Sequence, residues 1–443
     1  MSSICLVHMN YSSFPYSQVN IGLASIYSFL RQRGHRVYVY DTFYHSARRI
    51  LEECKRHRFA FVGFSTTEIH SESACSIAKD IHDHQGIKII FGGPFPTICP
   101  EHFLSRDYID YVCVGDGEYP LDDLLNGRDP ESVSGIWYRK NGEIIQNGIS
   151  RRFNIDDIEI TDYGGFPRRS VVSRRIFGHD EVRMSFSWSS RGCAYSCGYC
   201  SNAELRRRLG YGIRFRKSEN LIKEIEYLAM EYHCDGIFLS DEDFLYEDSH
   251  YSDFAAKYRS SHIQIPFGFL SRPEHINHRS IFRLNELKDA GWRWVGIGVE
   301  TGNQGKRSSI LNRNNSNEEI IEAFNICKTM GVHTNAFLIA GFYFEDYADL
   351  AETEALLRKC QPGSIECSLI YPFRGTDVYK LYDAYGLLNS SDNRASKTSY
   401  FDDITVRHPV FSSREIVQIK EYWEHLPKKI NDGTSILDVL RKP

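Results

Sequence analysis

Short apolar runs alternate with longer amphipathic ones from residue 3 to about residue 125. Ile4-Cys5-Leu6-Val7 predicts a first strand. Residues 21–33 predict a helix, with Leu23, Ile26, Tyr27 and Leu30 on one face and Gly34 as its stop. Further strands are expected at 37–40, ending at Asp41, at 59–64, at 88–91, closed by Gly92-Gly93-Pro94, and at 111–114, with a helix at 71–83. Unbroken apolar strands between amphipathic helices indicate a doubly wound, flavodoxin-like parallel sheet covered on both faces. Ligands of such sheets bind at the carboxyl ends of the strands. Those ends carry Gly63, Ser65, Gly92, Gly93 and Gly115, and glycine there lets a large flat ligand approach the backbone.

The pattern then changes. Apolar residues 135–138 and 143–145 flank Lys140-Asn141-Gly142, a hairpin signal, and residues 147–183 run polar and arginine-rich as a connection. From Met184 to Leu388 strand and helix signals repeat about six times, with strands expected at 184–189, 236–239, 266–270, 294–299, 333–339 and 367–371. This predicts a second α/β region, a partial (β/α)6 barrel. A polar stretch at 390–400 precedes a capping box, Ser412 with Glu415, that opens a last helix carrying Ile416, Ile419 and Trp423. The expected organisation is therefore 1–130, a hairpin and linker at 131–183, the barrel at 184–388 and a helical tail at 389–443.

Composition narrows the function classes. The chain has 443 residues, 42% of them hydrophobic, which suits two domains with sizeable cores. Lys+Arg 53 against Asp+Glu 58 leaves a net charge of −5, which argues against a dedicated nucleic-acid binder. No apolar run reaches membrane-spanning length, and with no signal peptide the chain reads as cytoplasmic, where thiols stay reduced.

Against that background three cysteines stand out, in Cys193-Ala194-Tyr195-Ser196-Cys197-Gly198-Tyr199-Cys200. A structural zinc site closes with four ligands, usually as two spaced pairs, and no second pair follows. Three thiolates instead suit a 4Fe–4S cluster whose fourth iron takes an outside ligand. The other nine cysteines lack metal spacing and read as small buried hydrophobes.

The C-x-x-x-C-x-aromatic-C spacing resembles the radical SAM enzymes. That resemblance implies a 4Fe–4S cluster on Cys193, Cys197 and Cys200 whose open iron chelates S-adenosylmethionine. It also implies reductive cleavage to a 5′-deoxyadenosyl radical, and an outside electron donor such as a flavodoxin or ferredoxin. Ser240-Asp241-Glu242-Asp243 resembles the family's acidic motif for the cofactor's amino group, with Asp241 and Glu242 as candidates, since an ammonium wants acceptors only. Glu300 ends a strand as a comparable family glutamate does, and Arg313 is a candidate clamp for the cofactor carboxylate. Many relatives show Gly-Phe-Pro-Gly-Glu-Thr where this chain has Gly341-Phe342-Tyr343-Phe344-Glu345-Asp346.

Residues 1–130 resemble the cobalamin-binding domain that precedes the core in one large subfamily, through Phe91-Gly92-Gly93-Pro94 and Val114-Gly115-Asp116-Gly117-Glu118. The D-x-H-x-x-G signature that supplies an axial histidine elsewhere is absent. His45 and His70 lack its context, so cobalamin is expected to sit without a histidine ligand. The leading expectation is a cobalamin-dependent radical SAM methyltransferase acting on a small molecule. The alternative is a non-methylating radical SAM enzyme (dehydratase, epimerase, oxidase or rearrangement) with a vestigial cobalamin domain. An RNA methylthiotransferase would need further cluster cysteines and a basic module. A plain electron carrier would not need the acidic motif. No catalytic residue beyond the cofactor ligands is assigned.

Overall fold

The computed structural model describes residues 2–10, 18–177, 180–389, 404–430 and 434–441. The polar stretch expected at 390–400 lies outside the described residues.

The first compact unit runs to Val171 and includes Glu204–Tyr211. Its sheet contains β1 (Ser3–His8), β2 (Arg36–Asp41), β3 (Phe61–Ser65), β4 (Lys88–Gly92), β5 (Tyr111–Cys113), β6 (Ile136–Lys140) and β7 (Glu143–Gln146), in the order β2-β1-β3-β4-β5-β6-β7. The first five strands are parallel, and β6 and β7 add an antiparallel hairpin turned at Asn141 and Gly142, both with positive φ. The hairpin expected between domains is thus part of this sheet, because β6 hydrogen-bonds along β5. Cys5, Val7, Val62, Phe64, Ile89 and Phe91 pack on one face against helical Ile50, Cys54, Ala74 and Ile81. The helix Ile21–Gln32 covers the chain between β1 and β2; Asn20 caps it by accepting from Leu23 N at 2.9 Å.

The second unit holds β8 (Val172–Phe177), β9 (Asp180–Ser187), β12 (Gly236–Leu239), β13 (Phe267–Ser271), β14 (Trp292–Glu300), β15 (His333–Ala340) and β16 (Ser364–Leu369), with β10 (Ser190–Arg191) and β11 (Arg214–Phe215) as a separate ribbon. The order is β16-β15-β14-β13-β12-β9-β8, six strands being parallel and β8 antiparallel to β9. This is the expected (β/α)6 arrangement with one added edge. The sheet wraps round: Phe177 of β8 stacks on Trp294 of β14 at 4.9 Å and meets His333 of β15 edge-on at 5.8 Å. A Cβ on Gly236 would lie 2.5 Å from Val182 and 3.2 Å from the Trp294 indole, so only glycine fits where the ring crosses the interior. The helix Ser413–Lys429, opened by the expected capping box, packs along the free edge of β16, where Glu424 accepts from Cys367 N at 3.5 Å. Among the described residues no helix is long and apolar enough to cross a membrane.

Candidate functional site

β9 delivers the chain to the β10–β11 ribbon, and Gly192, at φ +108°, turns it into the cysteine loop. The loop is pinned from several directions. Gly198 N donates to Leu311 O at 2.9 Å, Val378 N donates to Gly198 O at 2.9 Å, and the Asn312 amide donates to Ser196 O at 2.8 Å. A Cβ on Gly198 would sit 2.8 Å from Ile310 O. Cys193 and Cys200 are half-buried and Cys197 is buried. Burial pushes the Cys193 thiol up to about 11, and the nearby Glu242 carboxylate adds to the effect; burial pushes Cys200 up further. A metal bound to these sulfurs would reverse that cost. Among the described residues no three such side chains close on a single metal ion. A four-iron cubane gives each thiolate its own iron, and three cysteines are the donor set that leaves one iron open.

The three acids after β12 divide their labour. Asp241 is buried, and its oxygens accept from Ser189 N at 3.0 Å, Ser189 Oγ at 2.8 Å and Ser190 Oγ. Burial raises its pKa even so. Asp243 accepts from Tyr195 OH at 2.7 Å and Ser271 Oγ at 3.2 Å and pairs with His275 Nε2 at 3.1 Å. Tyr195 lies inside the cysteine loop, so Asp243 anchors it from outside. His275 is raised: burial works against its charge, but the Asp243 hydrogen bond and charge outweigh it. Of the three, Glu242 alone is solvent-exposed. Protein surrounding it at longer range still pushes its pKa up, the Asn202 amide pulls it down, and the Asp241 charge adds to the rise.

Glu300 and Arg313 come together. The two side chains approach to 3.3 Å and both are buried, the guanidinium also donating to Tyr199 OH at 3.2 Å and Gly298 O at 2.7 Å. A register shift in β14 and a positive φ of 65° at Glu300 turn its carboxylate to this position. Burial disfavours the Arg313 charge, but Tyr199 and Glu300 more than compensate and hold it firmly protonated. Among the described residues, Arg313 Nε, Thr301 Oγ1 and both amide atoms of Asn315 are buried without a hydrogen-bond partner. Unspent buried polar atoms beside the cysteine loop suit a polar cofactor.

One neighbour of the cluster loop has no motif to announce it. Arg272, at the end of β13, donates to Cys197 Sγ at 3.6 Å and lies 3.9 Å over the Tyr195 ring. The guanidinium thus holds the Cys197 sulfur and the Tyr195 ring of the loop from the same side. The only sequence signal is its place directly after a strand.

In the first unit Ser65 and Gly92 are register partners at the last rank of β3 and β4. Gly93 follows at φ +98°, with Thr66 O and Ser65 Oγ 3.1 and 3.2 Å from where a Cβ would be. These three form an edge where a ligand can meet backbone. The other two glycines serve packing. A Cβ on Gly63 would press the Leu6 side chain at 3.3 Å, inside the layer, and the space at Gly115 is filled by Ser150 Oγ at 2.5 Å.

Comparison with known proteins agrees with both halves. Residues 8–125 match the family described as the B12 binding domain, and residues 189–357 match the Radical SAM superfamily. An uncharacterized methyltransferase of Pyrococcus horikoshii is 24% identical over 90% of this chain and 85% of its own length. The cobalamin-dependent S-adenosylmethionine radical enzyme OxsB, solved with aqua-cobalamin and S-adenosylmethionine bound, superposes with a TM-score of 0.72 at 17% identity over 95% of this chain. This chain spans 66% of the OxsB chain. The radical S-adenosylmethionine methyltransferase TsrM of Kitasatospora setae, solved with cobalamin and a [4Fe-4S] cluster, superposes with a TM-score of 0.68 at 16% identity, over 89% of this chain and 80% of TsrM.

Proposed function

We propose, for a chain that belongs to the radical SAM superfamily and carries an N-terminal B12-binding domain, that it is a cobalamin-dependent methyltransferase acting on carbon in a small-molecule substrate. Its cofactors are a 4Fe–4S cluster, S-adenosylmethionine and cobalamin. The observation that carries the reading is the combination in one chain of a three-thiolate loop and a B12-binding sheet with an open glycine edge. When bound, the cluster and S-adenosylmethionine supply a carbon-centred radical and cobalamin supplies a transferable methyl group.

The protein's own work is to hold and to exclude. Cys193, Cys197 and Cys200 are the cluster ligands, and Arg272 positions the Cys197 sulfur. Asp241 and Asp243 fix the loop, which leaves Glu242 as the acceptor for the cofactor ammonium. Arg313, oriented by Glu300, presents the guanidinium for its carboxylate. Ser65, Gly92 and Gly93 form the cobalamin edge.

Anaerobic reconstitution with iron, sulfide and hydroxocobalamin, followed by desalting and metal counting, tests the pair of cofactors. Near-stoichiometric cobalt together with a cluster is expected, and Cys197→Ala should lose iron and keep cobalt. Incubation with S-adenosylmethionine carrying a labelled methyl group then reads transfer. A cluster without retained cobalt would favour the second reading, a radical enzyme that does not methylate. One observation keeps that reading in play: Tyr343 and Phe344 replace the family's proline and glycine, Phe344 stacking on Phe342 at 4.9 Å beside the loop's Tyr199.

A further inference from the structure

The second sheet wraps so that one of its faces becomes an interior, and register shows which residues line it. Trp294 of β14 meets the Phe177 ring of β8 across that interior, so Gly296 and Gly298, two and four positions on, share its face. Pairing carries the face onward, from Gly296 to Asn335 and Ser364, and from Gly298 to Phe337 and Glu366. Burial agrees. The outward residues of β15 and β16 are buried, whereas Asn335, Phe337, Ser364 and Glu366 are half-exposed. The inner wall of these two strands therefore lines an accessible cavity and not a filled core.

Glu366 is the charged member of that wall. Ser364 spends its hydroxyl on Asn335 Oδ1 at 3.0 Å. The helix Ser413–Lys429 brings Lys420 and Glu424 to the edge of β16, where they pair with each other at 3.0 Å. Among the described residues no hydrogen bond or ion pair reaches the Glu366 carboxylate. Burial pushes its pKa up; the Arg175 charge on β8 pulls it down, Glu424 adds to the rise and Lys420 opposes it. The facing walls are apolar and aromatic. Phe186 of β9 and Phe238 of β12 are register partners with ring centroids 6.1 Å apart, and Leu270 of β13 shares the row of Gly296. The Arg175 guanidinium lies 5.2 Å over the Phe186 ring. A carboxylate accepts only, and aromatic faces are negative, so this interior disfavours an anion beside Glu366 and favours an ammonium. Its apolar walls ask for an apolar body behind that ammonium.

We propose that Glu366 is the specificity-determining residue of the barrel interior, and that it selects an organic amine: a protonated nitrogen on an apolar carbon skeleton. The inference rests on the reading of the chain as an enzyme of small molecules and is independent of which group is transferred.

The test is calorimetric titration of the full chain, reconstituted with iron, sulfide and hydroxocobalamin, desalted and counted for both metals. Three probes of one size are compared: 2-phenylethylamine, 2-phenylethanol and 3-phenylpropanoate. The native chain should bind the amine about 10–100-fold more tightly than the alcohol, and the acid most weakly. Glu366→Gln should bring the amine level with the alcohol and leave alcohol binding unchanged. Glu424→Gln, which alters the carboxylate at the strand edge, should keep the preference. Three outcomes overturn the assignment: no binding of the amine, an amine that binds no better than the alcohol in the native chain, or a preference that survives in Glu366→Gln. The native comparison decides the matter even where the variant does not fold. The metal counts separate this inference from the cofactor reading. With iron and cobalt both retained, a missing preference overturns the role of Glu366 alone. Lost cobalt with the preference intact overturns the cobalamin reading and leaves Glu366 in place.

Discussion

The cysteine loop and the edge of the first sheet, the two proposed ligand sites, both lie at strand ends but are built by opposite means. Side chains lock the cysteine loop from outside: Asp241 holds Ser189 and Ser190, Asp243 holds Tyr195, and Asn312 holds Ser196. The edge of the first sheet is mostly backbone and missing side chains. A cluster bonded through three thiolates needs those sulfurs held in place, so the protein invests carboxylates in geometry. A broad flat cofactor is met by shape, and the protein clears space for it. Strand-end acids in the second unit are therefore mainly anchors, and strand-end glycines in the first unit divide between clearance and packing.

The largest expected effect breaks the locked side. Gly198→Ala would push a methyl group into Ile310 O, a backbone atom 2.8 Å away, on the turn between Cys197 and Cys200. Overpacking of this kind costs about 3 kcal/mol. Iron content should fall well below stoichiometric while cobalt is retained, and equal iron in both proteins would show that the loop is looser than its contacts imply. Asp241→Asn comes next. An amide offers one acceptor oxygen and turns an NH₂ toward hydroxyl donors, so about 2 kcal/mol should go, together with part of the iron. If stability and iron were unchanged and only S-adenosylmethionine affinity fell, Asp241 would be a ligand and the division between anchors and ligands would be wrong. On the open side, Gly93→Ala should cost about 1–2 kcal/mol, because φ +98° is strained for any side chain, and should reduce cobalt retention with iron intact. Loss of both metals would mean that the two sites are not independent.

Much of this contrast was legible before any coordinates. Metal chemistry fixes residue type and spacing, so three cysteines declare themselves, and strand and helix periods place both sheets. Roles at single positions were harder. Asp241 and Glu242 are adjacent acids with the same chemistry; only Ser189 and Ser190, some fifty positions earlier, make one an anchor. Gly63 and Gly93 are alike in sequence, yet one accommodates Leu6 and the other faces the edge.

Glu345 gives the most specific test of the anchor rule. It follows β15, is buried, and accepts from Gly341 N at 2.9 Å and Phe342 N at 3.0 Å through one oxygen. Burial pushes its pKa up to about 8; the two N–H groups pull the other way, the Asp349 charge adds to the rise, and Lys306 opposes it. The folded state therefore keeps a proton that the unfolded chain, with a pKa near 4.5, has released. Stability from this group is fully present below the unfolded pKa and is lost as pH climbs toward about 8, by at most about 1.4 kcal/mol per unit inside that window. Glu345→Gln keeps an acceptor oxygen for both N–H groups and cannot ionise. Denaturant midpoints at pH 6 and pH 7.5 should decline for the native chain and stay level for the variant. Equal slopes would mean that Glu345 is ionised in the fold, and its place among the buried anchors would be lost.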